Sequence, residues 1–158
     1  MFRKIRRETK MIGPEETKEL LHTARYGTVA VNGDDGYPYA VPVNYLYDEE
    51  NNRIFFHGSA AGHKADAVRA DDRVCFTVIG EEEIIEEDWA PFTKSAVVFG
   101  RCRILEDREE TIDLVKELAR KYFPTEELVR REAGASGSRV SVYVIEIEHI
   151  SGKRIQEK

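Results

Sequence analysis

Thr28-Val-Ala-Val-Asn-Gly-Asp-Asp-Gly-Tyr-Pro-Tyr-Ala-Val-Pro-Val-Asn-Tyr45 decides the fold class. Thr28 to Val31 has strand composition and runs into Asn32-Gly-Asp-Asp-Gly36, a stretch dense in turn formers. A second strand pattern follows at once, from Tyr37 to Tyr47. Two extended segments joined by so short a turn must lie antiparallel. In the second segment Tyr39, Val41, Val43 and Tyr45 share one face, and Ala40, Pro42, Asn44 and Leu46 share the other. Both faces therefore carry apolar groups. Pro42 has no N–H for a ladder, so this strand is an edge, or is bulged, at that point.

The same pattern continues along the chain. Asp48 to Asn52 is a second turn and Ile54 to His57 a third strand. Val74 to Ile79, Ser95 to Leu105 and Val140 to Ile150 supply three more, and Gly100 marks a bulge or sharp bend. Helices are expected at four places. The first opens at Gly13-Pro14-Glu15-Glu16, runs to about Ala24 and buries Leu20 and Leu21. The second covers Lys64 to Ala70. The third covers Glu109 to Tyr122, with Ile112, Val115, Leu118 and Ala119 at helical spacing. Pro124 ends it, and Thr125 caps a shorter fourth helix through Val129. Glu81 to Asp88 is the composition of a solvated loop or ragged strand end. Six strands, mostly hairpin-joined, predict a mainly β protein: a small antiparallel barrel with peripheral helices. We expect one domain over 1–158, with an N-terminal arm at 1–12, a helical insert at 108–132 and a flexible link at 133–139.

Composition narrows the function. The net charge of −6 argues against nucleic-acid binding. The basic run Arg3-Lys4-Ile5-Arg6-Arg7 is short and reads as a solvated arm. No apolar run approaches the roughly 20 residues of a membrane span. Cys75 and Cys102 sit in strand patterns, which suits two reduced core residues in a cytoplasmic protein.

The chemistry concentrates in Arg53-Ile-Phe-Phe-His-Gly-Ser-Ala-Ala-Gly-His-Lys64. A strand runs into five small residues and then into a Lys at a helix start. Gly58, Ser59 and Gly62 let a ligand approach the backbone closely. N–H groups at a helix start attract anions, and Lys64 adds a full positive charge. Together they read as a phosphate cradle, and Tyr39 to Tyr45 as a strand along which a flat ligand could lie. His57 ends its strand beside the cradle; it either acts on a substrate or merely closes the strand end. His22, His57, His63 and His149 form no spaced metal set, so no metal site is expected. Trp89 and Phe92, before the fifth strand, are candidates for partner or ligand contact.

These segments, with Val98-Phe-Gly-Arg-Cys-Arg103, resemble the FMN-binding split-barrel family, the pyridoxamine 5′-phosphate oxidase-like group. Within it they are most similar to the branch related to Nim-type nitroimidazole reductases. The likeness spans roughly Pro14 to Ile150. It implies a six-stranded Greek-key split barrel that binds FMN at the interface of a homodimer. By resemblance, Pro42, Val43 and Asn44 line the isoalloxazine. His57, Gly58 and Ser59 lie beside the ribityl chain and phosphate, and His63 and Lys64 form the basic pair at the phosphate. Lys94 and Ser95 match the segment offered by the other subunit. The implied activity is reduction of a small-molecule substrate, with NAD(P)H a candidate electron donor. A non-catalytic flavin- or haem-binding module is the alternative. The oxidase proper uses an Arg in the second strand and an aromatic-and-Arg pair near the C-terminus to hold pyridoxal phosphate. Neither is present here, which departs from vitamin B6 oxidation.

Overall fold

Alternating strands with short turns build one antiparallel sheet in a computed structural model that describes residues 2–85, 90–136 and 139–156. Its strands are Gly27–Asn32 (β1), Pro38–Val43 (β2), Leu46–Asp48 (β3), Arg53–Gly58 (β4), Arg73–Ile79 (β5), Glu83–Ile85 (β6), Ala90–Ile104 (β7) and Ser141–Gln156 (β8). They are ordered β2-β1-β5-β7-β8-β4-β3, and β6 pairs with the start of β7. The helices are Pro14–Thr23 (α1), His63–Ala70 (α2), Arg108–Tyr122 (α3) and Glu126–Ser136 (α4).

Two expectations are corrected. The sheet has eight strands rather than six, and its ends, β2 and β3, do not pair. The acidic segment supplies one extra strand, β6. The other arises because the strand read as Tyr37 to Tyr47 is broken at Asn44-Tyr45. Before the break the chain pairs with β1; after it, with β4 at the far end of the sheet. The barrel is nonetheless wrapped round one core. Val29, Val31 and Phe76 from one end of the sheet share a buried cluster with Tyr45, Tyr47 and Ile54 from the other. Burial holds the split open sheet in a curl that hydrogen bonds do not close.

Strands that read as apolar on both faces are covered on both faces. On β4, Ile54 and Phe56 point into the barrel, while Phe55 joins a second cluster with Leu114, Val115 and Leu118 of α3. On β8, Tyr143 and Ile145 point inward, and Val142 and Val144 meet α3. The third helix buries Leu114 along with the expected Val115, Leu118 and Ala119, while Ile112 is only half-buried. Its start is capped by Asp107, whose Oδ1 accepts the Glu110 N–H at 2.8 Å. Thr125 caps α4 through the Leu128 N–H at 3.3 Å. That helix continues to Ser136, through residues read as link, because Ala133 and Ala135 are good helix formers. Both cysteines are free, as expected.

The arm before α1 lies along the sheet. Phe2 stacks on Phe99 at 5.3 Å and on His149 at 4.9 Å, and the Ile12 N–H donates to Gly152 O at 3.2 Å. Its basic side chains Arg3, Lys4, Arg6 and Arg7 stay exposed.

The bulge expected at Gly100 is present: the β7–β8 register shifts between Phe99 and Gly100. A β-carbon at residue 100 would overlap Glu146 O and crowd Ile145. The obstacle is backbone, which cannot swing away. We therefore expect Gly100→Ala to lower stability by about 1–3 kcal/mol, the cost of overpacking. A urea midpoint equal to wild type would refute this steric account.

Candidate functional site

The loop from Gly58 to Gly62 is shaped by side chains behind it. The Tyr143 hydroxyl donates to Ser59 O at 2.5 Å, and Arg69 Nη2 donates to Ala60 O at 2.8 Å. Ser59 Oγ accepts the Ala61 N–H at 3.1 Å. Gly62 then turns into α2 with φ of 102°, a conformation that a side chain would strain. These contacts hold the loop's carbonyls, so the small residues present an open rim.

Lys64 sits under that rim. Its Nζ lies 5.0 Å from the ring centroid of Phe56 and 4.7 Å from that of Tyr143, and the two rings stack at 5.0 Å. It is half-buried, and burial pushes its pKa down. No carboxylate among the described residues pairs with it, and two aromatic faces support it. His63, one residue earlier, points elsewhere. Its ring stacks on Tyr39 at 4.2 Å, and its Nε2 accepts the Asp34 N–H at 3.4 Å. Of the expected basic pair, Lys64 faces the small-residue loop, and His63 secures the β1–β2 turn.

His57 follows Phe56 and so projects from the opposite face of β4. It lines a cleft of about 330 Å³ with Asn44, the apolar face of α3, Tyr122, Phe123 and Glu132 of α4. Burial pushes the His57 pKa down; Glu132 opposes this and Lys64 adds to it. The side chain nonetheless stays exposed, so the downward direction only favours the neutral ring, which can both donate and accept. Asn44 holds the strand end by donating to Arg25 O at 3.4 Å. Tyr122 does more. Its hydroxyl donates to Arg25 O at 2.6 Å, lies 2.9 Å from Tyr45 O and accepts the Tyr45 N–H at 3.0 Å. Beside it, Lys121 Nζ donates to Ala24 O at 2.7 Å over the Tyr45 ring, and burial pushes its pKa down to about 8. The C-terminal turn of α3 thus fixes the position of Val43 and Asn44. Helical spacing showed that α3 has an apolar face; it could not show that Tyr122 reaches the strand break.

Lys94 and Ser95 are not part of this assembly. Ser95 pairs with Lys153 on β8, whereas Gly58 pairs with Ser141. Twelve residues of strand separate those partners, roughly 40 Å at the usual rise. Lys94 instead bonds Glu16 at 2.5 Å, and that contact holds the Glu16 carboxyl below its usual pKa. The pair borders a cleft of about 650 Å³ that also carries Phe92 and the exposed Ile79. Trp89 lies outside the described residues. Among the described residues, no cluster of His, Cys, Asp or Glu is placed to hold a metal ion. No described helix is long and apolar enough to cross a membrane.

Comparison with known proteins gives a consistent picture. The family model described as "Pyridoxamine 5′-phosphate oxidase" matches residues 13–154. No curated protein matches the chain significantly. Among solved structures, a candidate 5-nitroimidazole antibiotic resistance protein from Bacteroides thetaiotaomicron superposes with a TM-score of 0.77 at 20% identity, over 93% of this chain and 87% of that one. A FAD-binding protein from Mesorhizobium loti gives 0.66 at 24% identity, over 92% and 97%. The flavocytochrome Anf3 from Azotobacter vinelandii gives 0.75 at 19% identity, over 95% and 71%. At these identities the structural likeness establishes the fold alone.

The electrostatics around His57 can be checked by NMR titration. His57 should titrate below its ordinary value of 6.5. Glu132→Gln should lower the value further, because a carboxylate that favours the imidazolium is lost. Lys64→Met should raise it, because a repelling ammonium is lost. Movement in the opposite direction in either variant would contradict the arrangement.

Proposed function

The chain belongs to the pyridoxamine 5′-phosphate oxidase family, and from that premise we propose that it is an FMN-dependent oxidoreductase of small organic molecules, acting as a homodimer. One observation carries this reading. Lys64 is a half-buried ammonium that rests on two ring faces without a carboxylate partner among the described residues, directly beneath a loop of small residues. Burial disfavours its charge. A bound phosphate would offset that cost and give the ammonium a charge-assisted partner.

In this reading Lys64 and the N–H groups between Gly58 and Lys64 hold the phosphate. Pro42 and Val43, on an edge strand with an unpaired side, and Asn44, at the break that follows it, lie along the ring system. Lys94 and Ser95 reach the ring system from the second copy, since one copy keeps them at the far end of β8. FMN, when bound, supplies the hydride or electron chemistry. His57 stands where the cradle meets the cleft. His57 delivers a proton to the substrate from its imidazolium form, or orients the substrate by a hydrogen bond from its neutral form.

Loss of one charge-assisted contact costs about 1.5–3 kcal/mol. Lys64→Ala should therefore weaken FMN binding by about 10- to 100-fold. Riboflavin, which lacks the phosphate, should bind this variant as it binds wild type. His57→Ala should leave both affinities unchanged. Equal losses for FMN and riboflavin in Lys64→Ala would remove Lys64 from the phosphate site.

A further inference from the structure

The N-terminal arm is held in place along its length, and neither the cradle nor the His57 cleft uses it. Residues 1–12 carry five basic side chains and one acidic one, so the arm accounts for +4 of the formal charge and the rest of the chain for −10. Phe2 is stacked on Phe99 and His149. Ile5 is half-buried and borders a cleft with Ile12 and Ile150. At the far end Met11 bridges to Lys153, and the Ile12 N–H bonds Gly152 O. Between these anchors Arg3, Lys4, Arg6 and Arg7 face solvent, and no carboxylate among the described residues pairs with any of them. Four cations held within five residues repel one another, and an anionic partner would relieve that repulsion.

The complementary surface is on the same chain but beyond the arm's reach. Glu81, Glu82 and Glu83 are exposed, and among the described residues no cation pairs with them. They lead into β6, which pairs with β7 on one side only. The other edge of β6 keeps free backbone groups, so an extended segment can lie along it. Ile84, also exposed, offers a surface to the aliphatic stems of Arg and Lys. Within one copy Phe2 lies against Phe99, whereas Glu83 pairs with Phe92. Seven residues of β7 separate these two positions, roughly 23 Å at the usual rise, which is further than an Arg and a Glu side chain span together.

We propose that the basic arm of one copy docks on the acidic 81–83 edge of a second copy, where Arg3, Lys4, Arg6 and Arg7 pair with Glu81, Glu82 and Glu83. Charge selects this partner. A lipid surface or a nucleic acid would draw the arm but repel a body of −10. A second copy returns an arm of its own, so the contact forms twice and neutralises charge on both bodies. Because the arm is already anchored, docking costs little further order. The contact rests on the homodimer reading for the presence of the second copy; its location rests on the charges alone.

A zero-length carbodiimide tests this, because it joins an ammonium to a carboxylate only where the two touch. The full chain, treated at low salt, should give a covalent dimer on a denaturing gel. Peptide mapping should find Lys4 joined to Glu81, Glu82 or Glu83 in the dimer band and not in the monomer band. The triple variant Arg3→Glu, Arg6→Glu, Arg7→Glu keeps Lys4 and should lower the yield of this link at least tenfold. The control Arg130→Glu, Arg131→Glu, on the exposed side of α4, should leave it unchanged. Raising the salt to about 0.5 M should cut the yield severalfold by screening. No such link, or the link in the monomer band alone, would overturn the proposal. So would binding of the protein to phosphatidylglycerol vesicles with no link between copies. A dimer that sediments as one but lacks the link defeats the docking and leaves the homodimer standing. A linked dimer that never takes up FMN keeps the docking and defeats the flavin reading instead.

Discussion

Two sheet edges that never pair must share one core, and the chain has to cross between them at Tyr45. Everything else follows from how that crossing is held. Tyr45 is completely buried, its hydroxyl donates to Leu21 O at 2.6 Å, and its N–H is taken by Tyr122. An unpaired buried N–H would cost about 1–3 kcal/mol, so a partner from outside the sheet is required. The partner comes from α3, whose apolar face is itself anchored on the outer side of β4 and β8. The helical insert is therefore the brace that keeps the split barrel split at a fixed place, with Val43 and Asn44 at the rim.

That brace links fold to chemistry. The strand end held by Tyr122, the His57 side of β4 and the α3 wall converge on one cleft. The other side of β4 carries Phe56, which with Tyr143 supports Lys64 below the loop. One strand thus serves two environments, a half-buried ammonium under a small-residue rim and a largely apolar cleft. The alternation of side chains along β4 keeps them apart. A ligand with a phosphate at one end and a flat ring system at the other would use both the cradle and the strand beside the cleft.

Much of this was legible in the sequence because the signals are local. Pro42 marked an edge strand, Gly100 a bulge, and Pro14 and Thr125 the starts of helices. The break at Tyr45 was not legible. Strand composition continues from Tyr37 to Tyr47 with apolar groups on both faces, and the groups that hold the break, Leu21 O and Tyr122 Oη, are distant in sequence. Likewise His63 and Lys64 look equivalent at a helix start. Only the packing of the β1–β2 turn turns His63 toward Asp34 and Tyr39. The extra strand β6 was hidden in acidic composition that reads as solvated loop.

The central claim is that one functional site needs residues from two copies, because Lys64 and Lys94 lie at opposite ends of β8. Subunit mixing tests it most directly. Lys64→Ala and Lys94→Ala proteins, each weakened in FMN binding alone, are combined and allowed to exchange. The account predicts recovery of tight FMN binding at roughly a quarter of all sites, because about half of the dimers become mixed and each rebuilds one of its two sites. No recovery on mixing, or wild-type FMN affinity in Lys94→Ala alone, would contradict it.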